Sequence, residues 1–179
     1  LLGAAVVQMV VYEVFMGLSL MGVVMLAGTF NLRELVLAQA DGWFIGPQIV
    51  GFFIFFMAGI AESHRTPFDL PEAEHELTAG FHLEYSGTKF AMIFIGEYVS
   101  VLMSAAMITV LFLGGWLGPA WLPPLMWFLL KTMALVLLMI LIRGSLPRPR
   151  YDQLMTFGWK FMLPLALLNL LITGALILI

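Results

Sequence analysis

Five stretches of this chain, roughly 6–27, 43–61, 90–113, 125–142 and 157–179, are apolar for about the length that crosses a bilayer. A hydrocarbon core about 30 Å thick takes about 20 residues at 1.5 Å rise. Inside it, only helices and closed barrels satisfy their own backbone groups. Continuous apolar runs of this length favour helices. Composition agrees: 62% of residues are hydrophobic and 11% charged, whereas soluble domains average about 45–50% and about 25%. The expected fold is all-α, a polytopic transmembrane helix bundle of about five spans forming one membrane domain over 1–179.

The connectors set the orientation. Residues 62–89 are long, polar and acidic, residues 143–156 are basic, and residues 28–42 and 114–124 are short. With their flanks, the two polar connectors hold Arg65, Lys89, Arg143, Arg148, Arg150 and Lys160, whereas the other two hold only Arg33. Cytoplasmic loops carry the excess of Lys and Arg, which places 62–89 and 143–156 in the cytoplasm or its organellar equivalent. Trp43, Trp116, Trp121 and Trp127 fall near the opposite ends of spans, where interfacial anchors belong.

Several functions are excluded at this level. A net charge of −3 with no basic run offers nothing to track a phosphate backbone. With no cysteine, the chain supplies neither a disulfide nor a thiolate for an iron–sulfur cluster. Any redox chemistry it serves uses a diffusible or neighbouring carrier. The sequence opens on Leu1-Leu2-Gly3, already within an apolar run, and reads as a portion of a longer protein.

Ionisable groups within spans are costly and usually functional. Glu13 lies near the middle of the first span, with Gln8 and Tyr12 close by. It is either a member of a proton relay or a protonated acid bonding between helices. Glu97 lies seven residues into the third span, with Ser100 and Ser104 on the same helical face. Lys131, central in the fourth span, reads as a counter-charge for a carboxylate or a lysine snorkelling outward. Asn169 reads as a packing residue. Glu62 stands where the second span meets the acidic connector, placed to exchange protons or to pair with Arg65 three residues on.

The connector itself carries Thr66-Pro67-Phe68-Asp69-Leu70-Pro71-Glu72-Ala73-Glu74-His75-Glu76-Leu77. Asp69 followed by Pro71 predicts a helix start, with acids near the positive end of the dipole. Glu72 and Glu76 would share a face, and like charges at that spacing do not serve helix stability. Phe68, Leu70, Leu77, Phe81, Leu83 and Tyr85 interleave with the acids, so this segment reads as folded and covered rather than as a solvated charge run. His75 and His82, seven apart, are no standard ligand pair, and no H-E-x-x-H pattern occurs. No metal is expected.

The run from Ala61-Glu62-Ser63-His64-Arg65-Thr66-Pro67-Phe68-Asp69-Leu70-Pro71-Glu72 through Glu84-Tyr85-Ser86 resembles the H-type membrane subunits of the proton-pumping NADH:quinone oxidoreductases, respiratory complex I. Tyr12-Glu13, Glu97-Tyr98, Leu111 to Trp116, and Pro147 to Met155 match in the family's order, so the resemblance covers nearly the whole chain. It implies a membrane component that joins the peripheral electron-transfer arm to the membrane arm and walls much of the quinone chamber. It implies quinone (ubiquinone or menaquinone) as substrate, with NADH, flavin and iron–sulfur clusters on other subunits.

Carried over, Arg65, Phe68, Asp69, Glu72, Glu74, Glu76 and Glu84 fall in the loop lining the quinone cavity. Glu13, Glu62 and Glu97 fall in a proton relay, and Arg143, Arg148 and Arg150 in a basic loop facing the peripheral arm. The implied partners are the other complex I subunits and lipid. The implied location is the bacterial plasma membrane, with the mitochondrial inner membrane as the alternative. The family has about eight membrane helices, so this chain corresponds to the C-terminal five. A related ferredoxin-, deazaflavin- or hydrogenase-linked complex is the other reading of the same motif. A transporter would call for inverted repeats or broken half-helices, and neither is seen; a purely structural anchor fits poorly with so many intramembrane carboxyls.

Overall fold

The structure, a computed structural model, describes residues 2–63, 87–119, 121–145 and 150–178. Its regular elements are α1 (Leu2–Ala27), α2 (Leu32–Leu37), α3 (Ile49–Glu62), α4 (Thr88–Phe112), α5 (Pro124–Ser145), α6 (Tyr151–Phe157) and α7 (Leu163–Leu178). No strand occurs among the described residues, and the all-α polytopic bundle is borne out. Among the described residues, four helical segments are long and apolar enough to cross a membrane: Val10–Ala27, Ala91–Phe112, Pro124–Ser145 and Gln153–Leu178.

The second expected span differs. Only Ile49–Glu62 is helical, 14 residues and about 21 Å at helical rise, whereas the apolar run begins at Trp43. Pro47 disfavours the α conformation at Gly46, and residues 44–48 instead form turns. The Ile45 amide donates to the Phe112 carbonyl at 3.0 Å and the Gln48 amide to the Phe44 carbonyl at 2.9 Å. This irregular backbone is thus satisfied by protein, as membrane depth requires.

Local chemistry accounts for the other boundaries. α1 stops at Gly28, whose φ of 68° suits a left-handed cap. Its amide donates to the Val24 carbonyl at 2.8 Å. Asn31 caps α2, its side-chain oxygen accepting from the Arg33 amide at 3.1 Å. Thr29 Oγ1 donates to Glu34 at 2.8 Å and ties the approach to the same turn. Pro124 opens α5, where its missing amide costs nothing. α6 and α7 are joined by a π turn at Gly158–Met162. Pro164 cannot donate to the carbonyl of residue 160 and would clash with it in a regular helix; the widened turn just before it relieves that conflict.

α1 packs on α3 and α7, while α4 packs on α3 and α5. Phe15, Ile54, Ile108, Leu111 and Phe112 form the buried centre. Phe112 meets Phe52 and Phe55 edge-on, with ring centroids 5.7 and 5.8 Å apart. The helices alternate in direction. One end of the bundle therefore gathers the end of α3, the start of α4, the end of α5 and the start of α6. That end carries both the acidic and the basic connector and is called the loop end below.

Candidate functional site

Three carboxylates on three adjacent helices descend from the loop end, and the contacts between helices fix their levels. A Cβ on Gly59 would lie 3.3 Å from Ser104 Cβ, so α3 and α4 are level there. Gly22 and Gly51 both approach the Gln48 and Asn169 side chains, which levels α1 with α3. Counting along each helix at 1.5 Å per residue, Glu13 lies about 3 Å deeper than Glu62, and Glu97 about 6 Å nearer the loop end. The three acids thus occupy a band about 9 Å thick along the bundle axis.

Their exposure differs. Glu97 is half-buried, whereas Glu13 and Glu62 are exposed on the surface of this chain. Glu13 shares its stripe of α1 with Val10, Val14, Gly17 and Met21, all exposed. The opposite face, through Val11, Tyr12, Phe15 and Ser19, is buried. A carboxylate in that stripe cannot face acyl chains without large cost, so the stripe marks a surface that protein or water covers.

Lys131 departs from the expectation of a carboxylate partner. The residue is only 8% exposed, and its ammonium donates to the carbonyls of Leu113 (2.6 Å), Gly115 (3.3 Å) and Leu117 (2.6 Å). It also sits 4.6 Å from the centroid of the Trp43 ring, a cation–π distance. The carbonyls after α4 curl around it because Gly114 and Gly115 take φ values of 70° and 50°. Side chains there would press on Trp43 and Val36, with a Cβ at 3.0 Å from each. Gln39 completes the knot: its Nε2 donates to the Val110 carbonyl at 2.9 Å and its Oε1 accepts from the Gly114 amide at 2.9 Å. Lys131 therefore ties down the end of the bundle remote from the loops.

A second buried polar cluster went unrecognised in the sequence apart from Asn169. Gln48 Oε1 accepts from Asn169 Nδ2 at 2.7 Å, and Gln48 Nε2 donates to Thr173 Oγ1. Ser19 Oγ donates to the Gly51 carbonyl at 2.6 Å. These bonds join α1, α3 and α7, and Gly22 and Gly51 leave room for them. The signal was present as small and amide residues within apolar runs, a pattern typical of membrane helix interfaces.

Of the basic residues, Arg143 is exposed at the end of α5, and Arg150 immediately precedes α6, its amide donating to Gln153 Oε1 at 3.2 Å. Arg65, Phe68, Asp69, Glu72, Glu74, Glu76, Glu84 and Arg148, with the helix start expected at Asp69, lie outside the described residues. Among the described residues, no group of three or more His, Cys, Asp or Glu side chains is disposed to hold a metal ion.

Comparison with known proteins gives the family. The profile of the NADH dehydrogenase family matches residues 1–174. The H-type component of the NADH-quinone oxidoreductase of Methylococcus capsulatus (strain ATCC 33009 / NCIMB 11132 / Bath) is 63% identical over 171 residues, 96% of this chain and 54% of that protein. The chain therefore spans about half the length of the curated relative it matches.

Proposed function

The chain belongs to the NADH dehydrogenase family, and from that premise we propose that it is part of the membrane component that walls the quinone chamber of respiratory complex I and couples quinone reduction to proton translocation. The observation that carries this reading is the graded band of Glu97, Glu62 and Glu13 toward the loop end, where α3 ends and α4 begins. Quinone is the substrate, and NADH, flavin and iron–sulfur clusters belong to other subunits. Arg65, Phe68, Asp69, Glu72, Glu74, Glu76 and Glu84 line the cavity from the connector. Arg148 and Arg150 face the peripheral arm, and the loop end faces the cytoplasm of a bacterial plasma membrane.

The coupling follows from electrostatics. Reduction of a quinone changes the charge and proton demand within the cavity. Glu97 and Glu62 lie nearest that change, and Glu13, about 3 Å deeper than Glu62, receives it within the membrane. A charge change in the cavity acts on carboxylates within a few ångströms of depth through the Coulomb interaction, which is stronger where water is scarce. The exposed stripe around Glu13 fits this role: in the assembled complex it adjoins further protein, to which the protonation change passes. A photoreactive short-chain quinone added to the assembled complex tests the chamber assignment. Labelling within 62–89 that a quinone-site inhibitor prevents is the expected result; labelling confined to other subunits contradicts it.

A further inference from the structure

A groove of about 260 Å³ opens on the bundle surface between α3, α4 and α5, lined by Ile60, Tyr98, Val101, Met133, Val136 and Arg143 among others. We propose that this groove holds one acyl chain of an anionic phospholipid whose phosphate is bound by Arg143. The inference does not depend on the coupling role and concerns a different ligand.

Dimensions support it first. Along α5 the lining runs from Met133 to Arg143, ten residues or about 15 Å. That is half of a hydrocarbon core about 30 Å thick, the depth of one leaflet. The groove therefore starts where headgroups lie and ends near the midplane.

Charge supports it second. Apart from Ser63 and Tyr98 the lining is apolar, Arg143 is its one cation, and no carboxylate is among the lining residues. Ser63, also at the mouth, spends its hydroxyl on the Ile60 carbonyl at 2.8 Å. The mouth thus presents an exposed guanidinium, whose planar fork suits phosphate, directly above an acyl-sized channel. A protein segment would not require that pairing of one cation with a dry channel, whereas an anionic lipid supplies both halves. Arg143 is thereby assigned to the membrane rather than to the peripheral arm.

The assembled complex, reconstituted into vesicles carrying trace phosphatidylglycerol or phosphatidylcholine with a photoreactive acyl chain, tests this. Crosslinks mapped to residues 98–102 and 133–143 are expected to favour phosphatidylglycerol about fivefold, the worth of one cation near an anionic surface. Arg143→Gln should abolish that preference, and Val136→Phe, which fills the channel, should reduce labelling by both lipids. The wild-type comparison stands even if a variant fails to assemble. Equal labelling by the two lipids, no labelling of these residues, or displacement of the lipid by a long-chain quinone would each overturn the proposal.

Discussion

Lys131 Nζ lies 2.6 Å from the Leu113 carbonyl oxygen and the same distance from that of Leu117, so a buried cation holds together the backbone that follows α4. Carbonyls that follow a helix end have no amide of the next turn to accept from. The ammonium takes the place of the amides that a continuing helix would have supplied, and it stands at the negative end of the α4 dipole.

Lys131→Met keeps the stem but strands those carbonyls. Hydrogen bonds to charged groups contribute about 1.5–3 kcal/mol each, so the two at 2.6 Å alone imply a loss of at least about 3 kcal/mol. Lys131→Arg should rescue poorly, because a planar fork does not fit a cage closed around a point donor. Thermal unfolding of the purified complex, followed by release of this chain, gives the ranking: wild type above Lys131→Arg above Lys131→Met.

Gly51→Ala is expected to loosen the joint of α1, α3 and α7. The new Cβ would stand 2.7 Å from Gln48 Oε1, and that side chain is pinned by Asn169 and Thr173. Overpacking of this kind costs about 1–3 kcal/mol. Gly22→Ala, with its nearest atom at 3.1 Å, should cost less. Detergent-induced dissociation of the two variants measures the difference, and equal stability would refute the packing account.

Pro164→Ala restores an amide where the π turn now compensates for its lack. The turn is then expected to tighten toward regular helix, rotating α6 relative to α7 by roughly one residue's turn, about 100°. Spin labels at Thr156 and Leu171 should report a changed separation, while an unaltered distance would show that the π turn has another cause.

The sequence made the transmembrane bundle legible because lipid imposes a length and a polarity that no soluble fold needs. It also pointed to Glu13, Glu62 and Glu97 as the acids at depth. The late start of α3 is hidden because hydropathy does not register backbone geometry; Gly46 and Pro47 carry that signal from within an apolar run. The partners of Lys131 are hidden for a related reason: counting charges looks for a carboxylate, whereas the ammonium donates to backbone carbonyls, which every residue possesses. The Gln48 cluster is not legible because its members are remote in sequence, Gln48 and Thr173 alone standing 125 positions apart, and no local pattern brings them together.

The coupling role of the carboxylate band is tested most directly by the rates of quinone reduction and of proton translocation, measured together in membrane vesicles carrying the assembled complex with Glu62→Gln or Glu13→Gln. Glutamine keeps the shape and the hydrogen-bonding capacity while removing the exchangeable charge. The account predicts that both variants assemble, and that pumping and pumping-coupled quinone reduction fall at least about tenfold, the equivalent of about 1.4 kcal/mol in a barrier. Full quinone reductase and pumping rates in both variants would contradict it.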